Sequence, residues 1–165
     1  AVVQACRWAK KRCIPVIIDA GPASCDLALD QLCGVTIFSP NETETQILTG
    51  GMPLETQQDW EQAARALAER TGAEHIVLKL GARGAYIFND SVSLFVPSFP
   101  VEAVDPTAAG DSFTAALALD YITHGDIVRA VRRANAAGAL ATLTVGAQPS
   151  LPDSDSIDAF LCQNA

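Results

Sequence analysis

Asp105-Pro106-Thr107-Ala108-Ala109-Gly110-Asp111-Ser112-Phe113 is the stretch on which the reading of this chain turns, and an apolar helical run follows it over residues 114–122. Small residues ahead of a helix let backbone N–H groups approach an anion closely, and the helix dipole favours negative charge at that end. Ala-Ala-Gly-Asp sets two backbone donors directly before a carboxylate. That order suits removal of a proton from an alcohol while phosphate charge is held beside it. A carboxylate in a first helical turn also stabilises the helix itself, so spacing alone leaves both readings open. Neither GxxxxGK[ST] nor GxGxxG occurs, which excludes the two commonest glycine-rich routes to phosphate.

Outward from this loop the chain alternates. Residues 14–18, 35–38 and 75–80 read as near-continuous apolar strands. Helical spacing covers residues 1–12, 42–48 and a longer stretch opened by Thr56, with Asp59 three residues on as a capping-box partner and Gly72 as the stop. Residues 84–88 and 92–96 flank Asn89-Asp90-Ser91 as a hairpin. Helices follow from Gly110 to Thr123, behind Asp126, and over residues 155–161. Buried strands separated by helices imply an α/β unit with a mostly parallel sheet covered on both faces. Ligands then sit at the carboxyl ends of strands, which directs attention to the loops after Asp19, Phe38, Leu80 and Val104. The chain opens without Met, inside a helix that leads at once into a strand, as the C-terminal part of a longer protein would.

Composition narrows the function. With 165 residues, 49% of them apolar and 18% charged, the chain has the makings of one globular core. Eleven Lys and Arg against 19 Asp and Glu leave a net charge of −8, unsuited to nucleic acid or an anionic membrane. No apolar run approaches the roughly 18 residues of a spanning helix. Five cysteines at irregular spacing, with no CxxC, read as reduced thiols in a cytoplasmic protein rather than disulfides or a zinc site. His75 and His124 have no partners in sequence and no assigned role.

The string at residues 105–113 resembles the C-terminal signature of the PfkB carbohydrate kinases, the ribokinase-like family. Three further matches fall in the family's order. Ser39-Pro40-Asn41-Glu42-Thr43-Glu44 is similar to its Asn-x-x-Glu motif. Lys79-Leu80-Gly81-Ala82-Arg83-Gly84 is similar to its nucleotide loop after a strand, and Gly146-Ala147-Gln148-Pro149-Ser150-Leu151-Pro152 to the run near the C-terminus of ribokinase-type members. The chain departs from the pattern at Gly21, where members commonly carry Asn, and at Pro106, where Thr is frequent. The resemblance implies a three-layer αβα ribokinase-like (Rossmann-like) fold with a mostly parallel sheet. Residues 1–165 would be its C-terminal portion only, the nucleotide-binding and catalytic part, without the N-terminal sugar-binding and lid part. The activity implied is ATP-dependent phosphorylation of a sugar's primary hydroxyl, D-ribose to ribose 5-phosphate first. Another sugar or a nucleoside is the alternative within the class, and a non-catalytic nucleotide-binding module the alternative outside it. Sugar and ATP are the partners implied, with Mg2+ and K+, and a homodimer for the full-length protein.

Residue by residue, the resemblance makes Asp111 the base that takes the sugar's proton and contacts both substrates. Ala109 and Gly110 would lend backbone donors to the transferring phosphoryl group. Asn41 and Glu44 would organise water around magnesium, Asn41 being equally readable as a helix N-cap. Lys79, Leu80, Gly81, Ala82, Arg83 and Gly84 would pass the backbone along the nucleotide, a turn between strands being the alternative. Asn135 would lie near adenine, or else face solvent. Asp105, Thr107, Ala141, Thr144, Gly146 and Ser150 would hold potassium and steady the loop before Asp111.

Overall fold

Short apolar runs with branched side chains give five strands, and in the computed structural model, which describes residues 1–164, these join in one sheet in the order β1-β2-β3-β4-β5. Strands β1 (Ile17–Asp19), β2 (Ile37–Ser39) and β3 (His75–Lys79) are parallel, with Ile18 opposite Phe38 and Phe38 opposite Ile76. β4 (Gly84–Phe88) and β5 (Ser93–Pro97) follow through connections of four residues, too short for a parallel crossover, so the sheet ends in a hairpin closed by Asn89 N–H donating to Val92 O at 2.8 Å. The described residues form two compact units. The first comprises Ala1–Gly81 and Tyr86–Phe95, and the second Ala82–Ala85 and the chain from Val96 onward.

The first unit carries helices α1 (Val2–Lys10), α2 (Glu42–Thr49) and α3 (Gln57–Thr71). Its core gathers Leu29, Phe38, Leu67, Ile76, Leu78, Leu80 and Tyr86, all essentially inaccessible to solvent. Trp60 seals it: the indole N–H donates to Leu54 O at 2.9 Å while the ring lies 5.1 Å from Phe95. α3 begins and ends where the sequence expects. Thr56 and Asp59 close a capping box, and Gly72 adopts the left-handed stop. The run over residues 14–18 gives less strand than its composition promises. Pro15 has no N–H to donate, and Val16 is tied sideways: its N–H donates to Thr36 Oγ1 at 3.1 Å, while its carbonyl takes the N–H groups of both Thr36 and Ile37. β1 therefore starts only at Ile17, and among the described residues it stands half-buried at the end of the strand order.

The second unit is built on α4 (Ala109–His124) and α5 (Ile127–Ala141), followed by the short α6 (Ala147–Ser150) and by α7 (Ser154–Gln163). Gly138 lets α5 approach closely, since a Cβ there would lie 3.3 Å from Ala109 O. Asp126 caps α5 by accepting from the N–H groups of Val128 and Arg129. Asp120 is only 4% exposed and receives Arg129 Nε at 3.1 Å, with the His124 ring at 3.3 Å. Arg133 joins α5 to α7 through Ser154 Oγ at 2.8 Å and the carboxylate of Asp158. Among the described residues no helix is long and apolar enough to cross a membrane.

Candidate active site

In the first unit the carboxyl ends of the three parallel strands bring several of the expected residues together. Asn41 sits two residues beyond β2 and bridges to Lys79 at the end of β3. Asn41 Oδ1 accepts the Glu44 N–H at 2.9 Å, and Glu44 Oε2 accepts the Asn41 N–H at 2.7 Å, a complete capping box for α2. The N-cap reading of Asn41 thus holds, and Glu44 faces the same strand ends. Gly21, in the loop after β1, explains its own identity. A Cβ at that position would lie 2.8 Å from Glu44 Oε1, so the glycine makes room for the carboxylate. Lys79 Nζ is 2.6 Å from Asp19 Oδ2, with the lysine side chain only 12% exposed. Asp19 was not singled out from the sequence as a side chain with a role. The available signal was an acid ending one apolar strand and a base ending another, which parallel pairing sets at the same edge. Leu80 turns its side chain into the core, so only its backbone is available to a ligand, and Gly81 begins a short exposed turn in left-handed conformation.

The second unit holds the remaining residues. Ala108 precedes α4 with φ +62°, a left-handed conformation that costs an alanine about 1–2 kcal/mol. Such a residue persists only when its surroundings impose it, and it re-aims the chain entering α4. The Ala109 N–H turns back to Pro106 O at 3.2 Å, so of the two donors expected from the sequence that one is already engaged. Gly110 and Asp111 donate to no backbone group among the described residues. The space where a Cβ of Gly110 would stand is open, and Asp111 is exposed beside it. The result is an accessible first turn with unspent N–H groups next to a carboxylate.

Behind this turn, Asp105 ties two loops together. Its Oδ1 accepts the Thr107 N–H at 2.9 Å and its Oδ2 the Gly146 N–H at 2.8 Å, while Thr142 O takes the N–H groups of Val104 and Asp105. Hydrogen bonds from the Thr107 hydroxyl, then from the amides of Gly146 and Thr107, hold the Asp105 carboxyl below the usual carboxylate range. Ser150 is buried and its hydroxyl donates to Ala147 O at 2.8 Å, which leaves the oxygen's lone pairs unspent. Ala141 ends α5 buried, and Thr144 lies exposed in the loop after it. Ala82 and Arg83 are exposed, and Arg83 O accepts the Ser98 N–H at 3.0 Å. Gly84 is buried at φ +127°, where a Cβ would lie 2.2 Å from Val96 O. Asn135 does not face solvent: it is 4% exposed and its Nδ2 donates to Val96 O and Pro97 O, each at 3.1 Å.

Comparison with known proteins gives concordant results. The family model described as pfkB family carbohydrate kinase matches residues 1–154. The chain is 34% identical over 163 residues to a deoxyribokinase of Salmonella typhi, a match covering 99% of this chain and 53% of that protein. The structure of Arabidopsis thaliana ribokinase complexed with ribose and ATP superposes with a TM-score of 0.88 at 35% identity, covering 96% of this chain and 51% of that one. Escherichia coli phosphofructokinase-2 in complex with potassium gives a TM-score of 0.84 at 26% identity, covering 98% and 51%. The chain spans about half the length of the curated relatives it matches.

Proposed function

The chain belongs to the pfkB family of carbohydrate kinases, and on that premise we propose that it forms the nucleotide-binding and catalytic part of an ATP-dependent sugar kinase acting on D-ribose. The observation that carries this reading is the entry to α4: a strained Ala108, two unspent N–H groups at Gly110 and Asp111, and the exposed carboxylate of Asp111. Phosphoryl transfer asks a protein mainly for positioning and charge stabilisation, and this turn supplies both.

In the proposed reaction Asp111 takes the proton from the sugar's primary hydroxyl as that oxygen forms its bond to the γ-phosphorus. The bond from phosphorus to the β-phosphate oxygen breaks, and ADP leaves with the electron pair. The N–H groups of Gly110 and Asp111, with the dipole of α4 behind them, hold the charge on the transferring group. Backbone of residues 79–84 would run along the nucleotide. Glu44 would reach magnesium through water. One carboxylate oxygen accepts the Asn41 N–H and keeps a lone pair, and the second lies over Gly21, so the side chain suits an ion that retains its waters. When bound, magnesium neutralises phosphate charge. Asp105, Thr107, Ala141, Thr144, Gly146 and Ser150 offer carboxylate, hydroxyl and carbonyl oxygens, a donor set that suits a hard monovalent cation such as potassium. That ion would steady the loop before α4.

Ribose is the first choice of sugar because ribokinases recur among the relatives, and 2-deoxyribose is the second because of the similar Salmonella deoxyribokinase. We place the protein in the cytoplasm as a homodimer. The deciding experiment measures ADP release by the full-length protein with ribose, deoxyribose and a nucleoside, for wild type and Asp111→Asn. The substitution should lower kcat roughly 10²-fold or more, the scale of a lost general base, and leave ATP affinity within about twofold. A variant keeping half of the wild-type kcat would remove Asp111 from the role.

A further inference from the structure

Asn135 stands in the middle of a helix, a place that disfavours Asn, and it is buried, where an unpaired amide is costly. Both of its near neighbours are acceptors, the carbonyls of Val96 and Pro97 at 3.1 Å each, so the amide nitrogen must be the end that faces them. Those carbonyls lie where β5 ends. Pro97 brings no N–H of its own, and the chain leaves the sheet toward Ser98. The same three residues are the wall against which the loop before β4 is set. Ser98 N–H donates to Arg83 O at 3.0 Å. Gly84 lies so close that a Cβ would be 2.2 Å from Val96 O, 2.6 Å from Ser98 N and 2.8 Å from the Pro97 carbonyl carbon. With no clearance at that contact, residues 83–84 must follow any movement of residues 96–98.

We infer that Asn135 is a positioning residue for the nucleotide loop, acting through the backbone of residues 96–98 and not by reading the base. It fixes the two carbonyls, the carbonyls and Ser98 fix Arg83 and Gly84, and these shape the turn that the nucleotide meets. The inference rests on the kinase reading for its ligand, while the structural linkage stands on the hydrogen bonds alone. A base-reading Asn would discriminate adenine from guanine. A positioning Asn acts equally on every nucleotide that uses the loop.

The experiment is Asn135→Asp in the full-length protein, which keeps the shape and turns two donors into an acceptor facing carbonyls. Hydrogen exchange of the Ser98 amide should quicken about tenfold or more, while the amides of Leu117 and Val131 in α4 and α5 keep their protection. Titration with magnesium–ATP and magnesium–GTP should show both affinities falling by the same factor, with their ratio held within about twofold. Loss of ATP affinity with GTP affinity kept, or unchanged exchange at Ser98, would overturn the inference. Wild-type protein that binds neither nucleotide would end the kinase reading, and Ser98 exchange would then decide the linkage by itself. Should Asn135→Asp not fold, Asn135→Ser removes the amide that holds the carbonyls of Val96 and Pro97 without adding bulk, and must weaken ATP and GTP alike.

Discussion

Gly84 and Gly72 share a left-handed backbone, with φ of +127° and +61°, yet they have different reasons to be glycine. At Gly72 nothing lies within 4 Å of a prospective Cβ, so alanine there meets only the conformational cost of about 1–2 kcal/mol. At Gly84 the same change adds a collision with the backbone of residues 96–98, which cannot rotate away. Gly84→Ala should therefore lower stability by about 2–5 kcal/mol, strain and overpacking together, and Gly72→Ala by no more than about 2. Urea unfolding of the two variants checks this, and equal midpoints would contradict it. At this scale the sequence is legible where a residue type has few uses. Asp111 ahead of an apolar helix and Asn41 ahead of Glu44 declare themselves, and both stand at helix starts as read. The left-handed Ala108 could not be read, because alanine carries no signal of positive φ. Asn135 was readable as polar in a small-residue helix, but its acceptors lie 38 and 39 residues away and no local pattern announces them.

At the scale of elements, the long periodic helices match expectation to within a residue or two, because caps mark their ends: Thr56 with Asp59, Asp126, and the glycines at 50, 72 and 125. The short α6 and the single turn Leu29–Gln31 escape such reading, since four residues are too few to show a period. The junction of α4 and α5 offers a sharper test. Asp120 is buried while Arg129, its partner, has a half-exposed side chain. The cost of breaking the pair depends on which member is left. Arg129→Met takes the nearest cation from a carboxylate held away from water, leaving it the His124 ring at 3.3 Å and Arg133 at 3.9 Å, and should destabilise by about 1–3 kcal/mol, the scale of a lost charged hydrogen bond. Asp120→Asn leaves a guanidinium that water can reach, and should cost less. A double-mutant cycle read by thermal unfolding gives the comparison, and the opposite order would refute the argument.

For the whole molecule, the parallel order of β1, β2 and β3 followed from strand composition, and it sets Asp19, Asn41 and Lys79 at one edge of the sheet, whereas Val104 ends no strand. The clamp between residues 104–107 and 142–146 did not follow from composition, because it is made of backbone amides meeting one carboxylate across some 40 residues. That clamp gives the protein a pH signature. The Asp105 carboxyl is held low by its donors, so its contribution is present above the ordinary carboxylate pKa of about 4 and is lost as pH falls through the lower folded value. The difference in melting temperature between wild type and Asp105→Ala should thus be largest near neutrality and shrink in acid, and a difference independent of pH would exclude the clamp. If the same carboxylate serves potassium, wild-type turnover should rise on replacing sodium with potassium, and Asp105→Ala should lose that response. The left-handed Ala108 sets a last expectation, one that belongs to selection. Ala108→Gly relieves the strain and should raise stability by about 1 kcal/mol, but it also frees the chain entering α4 to wander, so turnover should fall. A library at position 108 enriched for survival of heating should accumulate glycine, and the same library enriched for growth on the substrate should return to alanine. The two pressures would part at a single codon.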